Sequence, residues 1–162
     1  MQEKLVYLDT SSLAKRYIAE RGSEVVDKAY GESEAGRLRV AFSIWNIGEA
    51  IGVFDRYRAR GLISDDEFRR ARADLVSESL KLSRLDSLSL LPITSQSLAV
   101  SWGLVSKHHI YAADALQISS AEEADANLFL AADRRLLEAA SAEGLRAVNV
   151  ETDTDEALRG VS

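Results

Sequence analysis

The chain contains no cysteine, which excludes disulfides, thiolate catalysis and any zinc–sulfur centre, so a metal could be held only by oxygen or by histidine. Proline occurs once, at Pro92, and no Pro/Gly-rich linker, internal repeat or low-complexity tract marks a second domain. No apolar run reaches the roughly 18 residues that cross a bilayer as a helix. Met1-Gln2-Glu3-Lys4 leads directly into a short apolar segment without the longer core of a signal peptide. The expectation is a soluble, cytoplasmic protein with no membrane contact.

Positive charge is also in the minority, since 20 Lys and Arg face 26 Asp and Glu for a net charge of −6. That balance argues against broad, non-specific binding of nucleic acid, though not against a local contact. Basic residues cluster at Arg56, Arg58 and Arg60, at Arg69, Arg70 and Arg72, and at Arg134 and Arg135. For the middle cluster, Asp65, Asp66, Glu67 and Asp74 supply intrahelical partners, which makes it a solvated helix face.

What the chain does have is 162 residues with 46% hydrophobic content, enough for one globular domain with one core. Leu5 to Leu8 reads as a buried strand, with Ser11 or Ser12 as the N-cap of a helix running to Ala19. Ser23 to Tyr30 reads as a short helix and Leu38 to Phe42 as a second strand. The helix from Ile44 to about Arg60 is apolar nearly all round in its first half, which predicts burial of that half. Ser64-Asp65-Asp66-Glu67 is a capping-box signature for a long helix to about Leu85. Strands follow at Leu88 to Ile93, Asn127 to Ala132 and Arg146 to Val150, with helices between them, one of them ending at His108-His109 as a C-terminal cap. Alternating strands and helices predict an α/β fold with a parallel sheet of four to five strands covered on both faces, and ligands beyond the carboxyl ends of the strands. Residues 1–150 are expected as a single domain and 151–162 as a loosely attached polar tail.

Four acids interrupt segments that otherwise build core. Asp9 closes Leu5-Val6-Tyr7-Leu8, Glu49 follows Ile44-Trp45-Asn46-Ile47-Gly48, Asp114 follows Tyr111-Ala112-Ala113, and Asp133 follows Leu128-Phe129-Leu130-Ala131-Ala132. Buried carboxylates need a partner or a cation. An all-oxygen, carboxylate-rich set suits Mg²⁺ or Mn²⁺, and such a centre clamps a phosphodiester and activates a water for in-line attack. Ser11 is placed to bond Asp9 or a metal-bound water, Thr10 less directly. Each acid also has a plainer reading: Asp133 as a helix N-cap, Asp114 as a first-turn acid, Asp9 as a turn residue, Glu49 as a buried acid paired with an arginine. Gln117, one turn from Asp114, has two readings, a residue facing the pocket and, more plainly, a surface glutamine; Trp45, Ile47, Ile51 and Phe54 read as core.

Asp9-Thr10-Ser11, the Glu49 segment from Ser43, Asp114-Ala115-Leu116 and Leu130-Ala131-Ala132-Asp133-Arg134-Arg135-Leu136 together resemble a PIN-domain ribonuclease, closest to the VapC-like toxins of toxin–antitoxin pairs. The resemblance covers nearly the whole chain. It implies a three-layer α/β/α sandwich, the four acids as ligands of Mg²⁺ or Mn²⁺, Ser11 beside them, an RNA substrate, a homodimer and an antitoxin partner. Arg134 or Arg135 is then placed to touch an RNA phosphate. Many family members carry Thr or Ser two residues before the last acid, where this chain has Ala131. A housekeeping RNA-processing nuclease and a non-catalytic interaction module share the same motifs. A haloacid-dehalogenase type of phosphotransferase wants a second Asp at the place of Ser11.

Overall fold

A computed structural model describes residues 3–162. The apolar runs become strands β1 (Leu5–Leu8), β2 (Arg39–Ser43), β3 (Leu88–Leu91), β4 (Leu128–Ala131) and β5 (Ala147–Asn149). Between and after them lie helices α1 (Thr10–Ala14), α2 (Ser23–Glu34), α3 (Ile44–Ala59), α4 (Asp65–Arg84), α5 (Ser95–His108), α6 (Ala112–Glu123), α7 (Arg134–Ala142) and α8 (Thr154–Gly160). Every strand pair is parallel, in the order β3-β2-β1-β4-β5. The chain therefore builds outward from β1 on one side and returns to its other side with β4. The crevice that this reversal opens lies at the carboxyl ends of β1 and β4, where α/β sheets bind ligands.

Period-2 alternation sorts the strand side chains into two cores. Val6, Leu8, Val40, Phe42, Leu128 and Leu130 pack with residues of α2, α3, α4 and α8. Tyr7, Ala41, Phe129 and Ala131 pack with α5, α6 and α7 on the opposite face. The result is the three-layer α/β/α sandwich expected from the sequence.

Three expectations are corrected. The helix after β1 stops at Ala14, and the chain then turns to bury Lys15 between Glu20 at 3.2 Å and Glu151 at 2.5 Å. In α3 only the stripe of Asn46, Ala50 and Phe54 is fully buried, because positions four apart share the face turned to the sheet. Ile44 and Trp45, expected in the core, are 53% and 47% exposed. Residues 151–162 are not a loose tail: they carry α8, whose Ala157 and the following Val161 are fully buried in the first core. Their apolar residues, Ala157, Leu158 and Val161, are too few among polar neighbours to mark a helix by themselves. By contrast, the capping box of α4 is as read, with Ser64 Oγ accepting the Glu67 N–H at 3.1 Å and Glu67 Oε2 accepting the Ser64 N–H at 2.7 Å.

Burial of a valine alone is worth about 1.5–3 kcal/mol, and each kcal/mol moves the melting temperature of a domain this size by roughly 2–4 °C. Truncation after Thr152 is therefore expected to lower the melting temperature by about 5 °C or more. Thermal denaturation followed by circular dichroism measures this, and an unchanged midpoint would show that α8 does not support the core.

Candidate active site

Asp9 leaves β1 and caps α1 itself, with extended backbone angles and an Oδ1 that accepts the Ser12 N–H at 2.9 Å. Neither Ser11 nor Ser12 takes the cap. Ser11 instead donates to both carboxylate oxygens of Asp9 at 2.8 Å and accepts the Ala132 N–H at 3.0 Å, which ties α1 to the end of β4. Asp9 is only 4% exposed. Burial pushes its carboxyl up to about 6, against the opposing pull of the Ser12 and Ser11 hydrogen bonds.

Glu49 lies in the second turn of α3, and its Oε1 accepts from Thr10 Oγ1 at 2.8 Å and from Gln117 Nε2 at 3.2 Å. No arginine pairs with it among the described residues. Gln117 is not a surface residue but 2% exposed, and the Tyr7 hydroxyl donates to its Oε1 at 2.8 Å. Burial holds the Tyr7 phenol far above the ordinary tyrosine range, so its O–H persists at physiological pH.

Asp114 sits in the first turn of α6 and Asp133 is the N-cap of α7, its Oδ1 accepting the Leu136 N–H at 2.9 Å. Both line a pocket of about 390 Å³ with His109, Ile110, Tyr111 and Arg135. Burial first, then the charges of Asp133 and Glu49, push the Asp114 carboxyl up to about 6, while Arg135 pulls it down. Asp114 therefore senses two of the other three acids. Thr10 links Glu49 to the strand end that carries Asp9.

The carboxylates share one rim without closing on a common point. Among the described residues, no three carboxylates or imidazoles are gathered tightly enough to hold an ion as they stand. Asp9, Glu49 and Asp133 each turn an oxygen to scaffold donors instead. The donor set nevertheless fits a hard divalent cation: it offers only oxygens, and burial crowds negative charge that such a cation would offset.

Of the two arginines, Arg135 lines the pocket and donates to the His109 carbonyl at 2.9 Å, whereas Arg134 pairs with Glu138 along the exposed face of α7. His109 closes α5 in the left-handed region at φ 54°, and His108 meets Glu143 at 2.5 Å. His109 is the C-cap of α5 while the His108 ring pairs with Glu143, so the two histidines do not form a shared site. Ala131 is fully buried in the second core.

A match to the PIN domain family spans residues 6–142, which contain all four acids. The chain belongs to the PIN-domain family. PIN domains are typically nucleases and generally use divalent metal ions. Similar solved structures include PAE2754 from Pyrobaculum aerophilum, at 20% identity and a TM-score of 0.59, with 98% of each chain covered. FitAB bound to an IR36 DNA fragment aligns at 16% identity and a TM-score of 0.61, over 90% of this chain and 94% of that one. FitAcB from Neisseria gonorrhoeae aligns at 18% identity and a TM-score of 0.58, over 90% and 97%. At these identities the structures share the PIN fold with this chain and nothing finer. No curated protein sequence matches it.

The Asp9 carboxyl is raised from 3.8 to about 6 on folding, so the folded state binds its proton more tightly than the unfolded chain. Its contribution to stability is complete below about pH 4 and is lost as pH rises through about 6. Asp9→Asn keeps an oxygen to cap α1 and removes the charge. In chelator it is expected to raise the melting temperature by a few degrees at about pH 7.5 and to leave it unchanged near pH 3.5. Asp9→Ala, which loses the cap as well, should gain less than Asp9→Asn. Calorimetry at both pH values decides; an Asp9→Asn protein that melts below wild type at neutral pH would mean that the charged carboxylate is net stabilising.

Proposed function

We propose that this PIN-domain protein is a metal-dependent endoribonuclease that hydrolyses RNA phosphodiester bonds in the cytoplasm, the toxin of a toxin–antitoxin pair. In this reading Asp9, Glu49, Asp114 and Asp133 hold Mg²⁺ or Mn²⁺. The observation that carries it is the crowding at Asp114, a half-buried carboxyl that shares a pocket with Asp133 and feels the charge of Glu49, at the carboxyl rim of the sheet. A divalent cation bound there would supply charge neutralisation for a phosphate and an activated water.

The chain's own residues do the rest. Ser11 holds Asp9 and the backbone of Ala132 in fixed relation, so the first and last acids keep their spacing. Arg135, on the pocket wall beside Asp133, is placed to pair with a backbone phosphate, and the 82% exposed ring of Tyr111 offers a face on which an unpaired base can stack. Both contacts suit single-stranded RNA, whose bases are free to splay outward.

Partner surfaces are available away from the acids. Leu62, 65% exposed on the α3–α4 connection, lines a groove with Tyr17, Ile18, Ile63 and Ala71. This is the surface we assign to an antitoxin segment. Leu98 and Trp102, 40% and 68% exposed on α5, form a second apolar face suited to a homodimer. FitAB, which shares the fold, was solved on a DNA fragment. A net charge of −6 argues against a broad DNA-binding surface on the present protein.

Purified protein is expected to cut single-stranded RNA with Mg²⁺ or Mn²⁺ and to stop in chelator. Asp114→Asn should lower the rate at least about a hundredfold, since it removes several kcal/mol of transition-state charge stabilisation. Cleavage by Asp114→Asn at the wild-type rate in an RNase-free preparation would exclude the assignment.

A further inference from the structure

The side-chain amide of Gln117 lies between two groups that leave it one orientation. The amide turns its NH₂ toward Glu49 and donates to Oε1 at 3.2 Å. The amide carbonyl then faces Tyr7, whose hydroxyl must donate, at 2.8 Å. Both side chains are sealed from solvent, Gln117 at 2% exposure and Tyr7 at none. The Tyr7 ring is held in turn by stacking on Phe129, with centroids 5.5 Å apart and planes within 4°. A chain of bonds thus runs from β1 through α6 to the carboxylate on α3.

Thr10 adds its bond to the same oxygen, Oε1, at 2.8 Å. Among the described residues Oε2 receives none. We propose that Tyr7 and Gln117 are positioning residues that commit one oxygen of Glu49 to the scaffold and reserve the other for a divalent cation. Glu49 would then bind through a single oxygen in a preset direction. The inference rests on reading the four acids as a metal site, and it adds two uncharged residues that no ligand list would contain.

The test is Mn²⁺ affinity, measured from the free-ion signal in electron paramagnetic resonance, for wild type, Gln117→Met, Tyr7→Phe and the double variant. Both substitutions nearly preserve volume, and Tyr7→Phe keeps the stacked ring. Loss of an outer hydrogen bond to a ligand typically costs about 10–100-fold in metal affinity. Gln117→Met is expected to weaken Mn²⁺ binding about tenfold or more, and Tyr7→Phe to weaken it by less. The double variant should bind no more weakly than Gln117→Met, because Tyr7 acts only through the amide. Melting in chelator checks the fold, and if Gln117→Met does not fold, the affinity of Tyr7→Phe decides alone. A purely structural role would shift that melting temperature and leave Mn²⁺ affinity untouched, which would overturn the proposal, as would losses that multiply in the double variant. Wild-type protein that binds Mn²⁺ but cuts no RNA would remove the nuclease reading and leave this one standing, whereas protein that binds no Mn²⁺ would remove both.

Discussion

The rim that carries Asp9 and Asp133 depends on the parallel pairing of β1 with β4. Val6, Tyr7 and Leu8 register against Leu128, Phe129 and Leu130, and the Asp9 N–H continues the ladder by donating to the Leu130 carbonyl at 3.1 Å. Because the two strands run the same way, both release their chains at one rim. There each strand is followed by a helix that begins on an acid, Asp9 for α1 and Asp133 for α7. The positive ends of these helices partly offset the carboxylate charge.

The capping reading and the ligand reading of these acids are therefore compatible. A carboxylate has two oxygens, and Asp133 spends one on the Leu136 N–H while Glu49 spends one on Thr10 and Gln117. What remains at the rim is one oxygen each on Glu49 and Asp133 and the carboxylate of Asp114, while Ser11 shares its single proton between the two oxygens of Asp9. The shifts at Asp9 and Asp114 arise differently. At Asp9 burial dominates against hydrogen bonds that favour the charged form, whereas at Asp114 the neighbouring charges of Asp133 and Glu49 add to burial. Both reach about 6, so a cation that binds near neutral pH meets carboxylates that are mostly ionised but costly to keep so.

Strand positions and the long helix α4 were legible in the sequence because short apolar runs and a capping box are local signals. The direction of the sheet was legible from the alternation of strands with helices. Strand order was not, since nothing local states that β4 returns beside β1. Among site residues, the four acids stood out because each breaks an apolar pattern. Gln117 did not, because a glutamine one turn after an acid on a helix looks like any surface glutamine. Its burial is set by Tyr7, 110 positions earlier in the chain. Trp45 misled in the opposite sense: its segment is apolar on all sides, but only one stripe of α3 meets the sheet. The terminal helix α8 was hidden because its three apolar residues fall in a window too short to establish a period, although Val161 is fully buried.

The central claim is that the rim beyond β1 and β4 is a divalent-cation site built from Asp9, Glu49, Asp114 and Asp133. The most direct measurement is anomalous diffraction from crystals grown or soaked with Mn²⁺ near neutral pH. The account calls for a peak in the pocket, with oxygens of at least three of the four acids within about 2.0–2.4 Å of it. A well-diffracting crystal with no peak there, or with its strong peak elsewhere on the molecule, would contradict the account.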